Sequence, residues 1–185
     1  MRSGVDVDTR AAIAWEVLGF FFIMGAGAVL HLLFQWSGSS PLVAPFAAVN
    51  ESVWEHLKLA FWPAALWTLF ERAPLKTRVN NFWLARALGT LLMPVIIVAL
   101  FYFYVFLLGE HVLFLDVTIF VLAVATGQYV SYRLFTGDER SPLANLLAPA
   151  IIVALAALFI VFTFLPPEAG IFRDGPTGTY GIPVS

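Results

Sequence analysis

The sequence predicts an all-α protein, a polytopic membrane bundle of about five transmembrane helices, and three observations predict it. Apolar runs long enough to cross a bilayer recur along the chain, charged residues gather at the ends of those runs, and basic residues sort between alternate connections. With 61% hydrophobic residues, 12% charged residues and a mean hydropathy of +0.88, the chain carries more apolar surface than a soluble core of this length could bury.

The first run, Ala11 to about Phe34, follows Arg2 and Arg10. It is longer than a secretory signal core and lacks a small-x-small cleavage site at its far end, so it reads as an uncleaved first span. Spans are expected near 11–35, 53–71, 84–108, 112–135 and 143–165. Arg2, Arg10, Arg72, Lys76, Arg78, Arg86, Arg133 and Arg140 then fall on one side, and only Lys58 and Arg173 on the other. The positive-inside rule makes the first side cytoplasmic, with the N-terminus in and the C-terminus out. Pro63, Pro94 and Pro149 lie inside spans and are expected to kink them. Residues 1–165 form one helical domain in this reading.

Two segments break the pattern. Ser37-Gly38-Ser39-Ser40-Pro41 reads as a turn, and the apolar stretch Leu42 to Val49 is too short to cross, so it is expected at the outer interface. After Pro166-Pro167 the tail 166–185 is rich in turn pairs yet keeps Ile171, Phe172 and Tyr180. Those anchors suggest a lid over the outer ends of the first two spans, with Arg173 or Asp174 near its rim, against the alternative of a mobile tail.

Composition excludes several chemistries. With no cysteine there is no disulfide, thiolate ligand or cysteine nucleophile. A net charge of −2 without a basic stripe speaks against nucleic acid as a partner. The first half shows no internal repeat in the second, so the inverted-repeat pattern of many transporters is missing.

All three histidines, His31, His56 and His111, fall toward the outer ends of spans, where Glu51, Ser52, Glu55, Glu110 and Asp116 join them. Ionisable groups at membrane depth are costly and usually face a protein interior or a cavity, so this clustering points to a site. In Asn50-Glu51-Ser52-Val53-Trp54-Glu55-His56-Leu57-Lys58, helical spacing puts Glu51, Glu55 and Lys58 on one face with Ser52 and His56 beside them. Ser52-x-x-Glu55 is also a capping box, which would give both residues a structural role. Gln35 lies one turn beyond His31. His31, His56 and His111 are the candidate ligands of a divalent metal such as zinc. Glu55, Asp116 and Ser52 are the candidate catalytic groups, and Glu51, Lys58, Gln35 and Glu110 line the pocket. Glu16 is expected to pair with Arg86 or Arg133.

The stretch from His31 through Phe46-Ala47-Ala48-Val49-Asn50-Glu51-Ser52-Val53-Trp54-Glu55-His56-Leu57-Lys58-Leu59, with the tail Phe172-Arg173-Asp174-Gly175-Pro176-Thr177-Gly178-Thr179-Tyr180-Gly181-Ile182, resembles a family of small bacterial multi-pass membrane proteins of unknown function. That resemblance implies the bacterial cytoplasmic membrane and supplies no activity. Ser52-x-x-x-His56 is also similar to the serine-histidine pair of the alkaline ceramidase and adiponectin-receptor superfamily, seven-span zinc-dependent hydrolases and their relatives. Only those two positions match, and the His-x-x-x-His of that superfamily's last helix is absent. Three functions remain open on the sequence: a metal-dependent hydrolase of lipid-like substrates, a protein that binds or transports an ion or small polar ligand, and an accessory subunit of a larger membrane complex or homo-oligomer. Haem ligation by His31 and His56 is a special case of the third.

Overall fold

Lipid offers the backbone no hydrogen-bond partners, so an apolar run that enters it closes its bonds internally as a helix. The computed structural model describes residues 7–183, and its regular elements are helical. They are α1 (Thr9–Trp36), α2 (Val53–Leu75), α3 (Phe82–Leu108), α4 (Leu113–Thr136), α5 (Pro142–Leu147) and α6 (Pro149–Phe164), followed by a short 3₁₀ turn at Gly170–Phe172.

Local chemistry sets the ends. Asp8 caps α1 by accepting from the Ala11 amide, and Ser141 caps α5 by accepting from Ala144. Gly109 ends α3 with φ of 82°, a left-handed conformation that glycine adopts without a Cβ penalty. The expected fifth span is divided at Ala148, immediately before Pro149, whose ring nitrogen cannot continue the hydrogen-bond ladder.

Among the described residues, four helical stretches are long and apolar enough to cross a membrane: α1, α3, α4 and the continuous pair α5–α6, Pro142–Phe164. Their outward side chains are apolar, with Phe21, Phe103, Phe106, Leu113 and Phe114 all exposed. Helix α2 differs because it carries Glu55, Lys58, Glu71 and Arg72, of which the first three are buried. It packs against α1, α3 and α6, and Phe61, Ala60 and Ala64 place it in the main apolar core with Ile23, Met93, Ala123 and Phe159. Protein surrounds the charges that lipid would reject.

Two sets of contacts tie the helix ends together. At one end Asp8 N–H donates to the Arg78 carbonyl, Asn81 Nδ2 donates to the Leu134 and Asp138 carbonyls, and Leu84 N–H donates to Asn145. At the other, Asn50 and Glu51 bond to the tail and Lys58 reaches Thr163. Arg10, Arg72, Lys76, Arg78, Arg133 and Arg140 belong to segments at or near the first end, whereas Lys58 and Arg173 belong to the second. Arg2 lies outside the described residues.

Helices α3 and α4 come close together at Gly89 and Gly127. A Cβ on Gly89 would collide with Ser131 Oγ and stand 2.7 Å from the Gly127 carbonyl oxygen. Backbone cannot yield as a side-chain tip can, so Gly89→Val is expected to cost roughly 1–3 kcal/mol or more through overpacking. A drop in the unfolding midpoint in mild detergent reads this, and an unchanged midpoint would show that the helices part freely.

The segment after α1 folds back over its end. Ala44, Ala47 and Val49 bury against Phe34, and Ile182 of the tail packs on the same cluster. This places the apolar stretch Leu42 to Val49 on protein, with Leu42 and Phe46 left exposed.

Candidate metal centre

Three side chains from separate stretches of chain meet where α1 ends and α2 begins. His31 comes from the last third of α1, Glu51 from the connection, and His56 from the first turn of α2. Their ligand-capable atoms lie within 4.8 Å of one another. The two Nε2 atoms are 3.2 Å apart, and Glu51 Oε2 is 3.4 Å from His56 Nε2 and 3.8 Å from His31 Nε2. Metal bonds of about 2.0–2.2 Å in a tetrahedron put neighbouring ligand atoms roughly 3.3 Å apart, so these spacings suit a shared ion.

The protonation of His56 follows from its other nitrogen. His56 Nδ1 is 2.8 Å from the Ser52 carbonyl oxygen, which only accepts, so Nδ1 bears the hydrogen. In the neutral ring Nε2 then presents a lone pair to Glu51 and His31, where a lone pair beside a carboxylate calls for a proton or a metal between them. Backbone carbonyls commonly hold the far nitrogen of metal-binding histidines in this way. When Nε2 is protonated as well, the His56 imidazolium donates to Glu51 and holds its carboxyl below the usual carboxylate range, and charges on His31 and His111 act in the same direction. Glu51 is therefore ready as an anionic ligand. About half of its side chain is exposed, as is about a third of each histidine's, which leaves the cluster open on one side.

The tail fixes Glu51 from behind. Asp174 is buried, and its Oδ1 accepts from the Glu51 amide at 2.8 Å while its Oδ2 accepts from the Thr177 amide and hydroxyl. Gly178, at φ of 72°, closes that turn by donating to the Asp174 carbonyl. Asn50 Nδ2 donates to the Gly181 carbonyl at 2.8 Å, and Asn50 Oδ1 accepts from the Ser52 amide. Phe172 packs on Trp54 and Phe162, with ring centroids 4.8 Å and 5.4 Å away. The two sequence segments that carry the family resemblance are thus in contact.

The remaining candidates lie elsewhere. Ser52 is buried as the N-cap of α2, its hydroxyl accepting from the Glu55 amide. Glu55 does not complete the capping box: its Oε2 accepts from the Val49 amide at 3.0 Å and pairs with Lys58 Nζ at 2.5 Å. Lys58 is fully buried and also donates to the Ala44 carbonyl and Thr163 Oγ1, so its three protons are all engaged. Both side chains are held in this buried pair. His111 is exposed and lies 3.5 Å from Asp116, outside the three-residue cluster. Asp116 also accepts a hydrogen bond from Tyr104, a partner the sequence reading did not identify. Gln35 and Glu110 are exposed. Glu16 pairs with Arg86, at the opposite end of the bundle.

These features define a helical protein of membrane-spanning character with a His/carboxylate cluster at one end. The chain belongs to a family of unknown function, DUF6512, whose sequence model matches residues 7–182. No curated protein and no solved structure matches it.

Proposed function

We propose that His31, Glu51 and His56 bind a divalent transition metal, zinc by preference, and that the site hydrolyses an ester or amide of a lipid-like substrate. The observation that carries this reading is the spacing of the three ligand atoms, together with the His56 Nδ1 hydrogen bond that turns its Nε2 lone pair into the cluster. Two histidines and a glutamate with an open fourth position form a catalytic ligand set of zinc hydrolases, whereas structural sites are closed by four protein ligands. When bound, the metal would supply Lewis acidity that polarises a carbonyl and acidifies water. Ser52 orients His56 through its carbonyl, and Asp174 positions Glu51 through its amide. Asp116, with His111 beside it, is the carboxylate assigned to accept the proton. Exposed Trp36, Leu42, Phe46, Leu113 and Phe114 on the neighbouring segments suit a substrate that arrives from the bilayer.

In this proposal α2 is a fifth crossing, its charges paired inside the bundle, and the histidine end faces outward from a bacterial cytoplasmic membrane. The surplus of arginine and lysine at the other end supports that orientation. The tail acts as a lid whose hinge lies near Pro166-Pro167.

Zinc titrated into the purified chain in detergent is expected to bind at one equivalent, with affinity falling as pH drops through the histidine range. His56→Ala should weaken binding by at least about 100-fold, because it removes a ligand rather than a supporting contact. Hydrolysis of a fluorogenic acyl ester in mixed micelles should be lost in the same variant. Zinc affinity equal in wild type and His56→Ala would overturn the metal site. Stoichiometric zinc without hydrolysis would leave ion binding and remove the hydrolase.

A further inference from the structure

A second polar cluster lies toward the opposite end of the bundle and joins four helices. Arg86 of α3 meets Glu71 of α2, Glu16 of α1 and Gln128 of α4, and all four side chains are buried. The two carboxyl groups are held differently. Glu71 lies against two guanidinium nitrogens, its Oε2 accepting from Nη2 and its Oε1 in ion-pair contact with Nε without a hydrogen bond. Glu16 touches it through Oε1 alone, at 2.5 Å, and its Oε2 is buried without a hydrogen-bond partner.

One guanidinium balances one carboxylate. Contact with two guanidinium nitrogens, against one for Glu16, assigns that balance to Glu71, and a second carboxylate at this depth would leave a net negative charge in a medium that does not tolerate one. The groups facing Glu16 are Glu71 from α2, Arg86 from α3, and Gln128, Tyr129 and Tyr132 from α4. Arg86 is the one cation among them. Arg133 is turned away and donates to the Tyr129 hydroxyl at 2.9 Å. Gln128 Nε2 donates to the Glu16 backbone carbonyl, and Glu16 Oε2 is left without a partner. Glu16 and Gln128 line a groove of about 280 Å³ between α1 and α4, otherwise walled by Ile13, Val17, Phe20, Ala125 and the two tyrosines.

We propose that Glu16 is a proton-binding site that opens onto this groove. The carboxylate takes up one proton from hydronium to become a carboxylic acid, one O–H bond of the hydronium breaking as one forms on Glu16 and water leaving, with the Arg86–Glu71 pair unchanged. Its ligand is the proton itself, and the α1–α4 groove is the route of exchange. The site is separate from the histidine cluster, so it stands whether or not that cluster binds metal.

Infrared difference spectroscopy of the full chain in lipid nanodiscs, stepped from acid to alkaline pH, tests it. Wild type is expected to show a carboxylic C=O band that fades as pH rises and shifts in heavy water. Glu16→Gln should lose the band. Glu71→Gln should lose it too, because Glu16 then becomes the sole counter-charge of Arg86 and stays ionised. Glu51→Gln, at the other end of the chain's bundle, should keep it. A wild-type spectrum without a titrating carboxylic band would overturn the proposal even if no variant folds, and a band that persists in Glu16→Gln would overturn the assignment to Glu16.

Discussion

Arg86→Met is expected to destabilise the protein by roughly 3–5 kcal/mol, the size typical of removing one partner from a buried ion pair. Methionine roughly fills the volume but leaves Glu71 and Glu16 facing each other without a cation, and Gln128 Oε1 loses its donor. It also removes the guanidinium from the Phe135 ring, which it overlies at 4.7 Å. Since Arg86 ties α1, α2, α3 and α4 together, the loss should appear in every helix at once as one lowered unfolding transition. Adding Glu71→Gln to Arg86→Met should recover part of the loss, because one buried charge is then removed. A loss under about 1 kcal/mol for the single variant would place the cluster in water, where such pairs contribute little.

How much of this was legible in the sequence follows from which constraints are local. Helices α1, α3 and α4 could be read because each apolar run satisfies its own backbone and needs no knowledge of its neighbours. Helix α2 is harder to read as a crossing because Glu55, Lys58, Glu71 and Arg72 raise its charge, and their partners lie in other elements. Glu16 and Arg86 are 70 positions apart, so the sequence could suggest the pair without deciding between Arg86 and Arg133. His31 and His56 were legible as neighbours, since one short connection joins their helices on the same side. Glu51 lies off the face it shares with Glu55 and Lys58 by helical spacing, for a geometric reason. Helical spacing grouped it with Glu55 and Lys58, but α2 begins only after Ser52, and a residue ahead of the cap is not on the helical lattice. Freed from that face, Glu51 turns to the histidines while Glu55 and Lys58 close on each other. His111 follows the left-handed Gly109, and its ring turns to Asp116 rather than to the other two histidines. Backbone turns of that kind leave little trace in hydropathy.

The Lys58–Glu55 pair gives the second large effect. Lys58 Nζ holds three elements at once: Glu55 on α2, the Ala44 carbonyl in the connection and Thr163 near the end of α6. Lys58→Met should therefore cost roughly 3–5 kcal/mol, much of it from the Glu55 carboxylate left buried without its cation. Glu55→Gln should cost about as much by stranding the ammonium. The double variant should be less destabilised than the sum, because glutamine can still accept from the Val49 amide and methionine brings no charge to bury. Proximity to the histidines adds a second readout. Glu55 secures Val49, which precedes Asn50 and Glu51, so either single variant should loosen the connection that carries Glu51 and weaken zinc binding while leaving His31 and His56 intact. Hydrogen exchange at residues 44–51 would register that loosening directly. Additive losses in the double variant, with unchanged exchange across 44–51, would show that the pair is a solvated contact and that Glu51 is held by the tail alone.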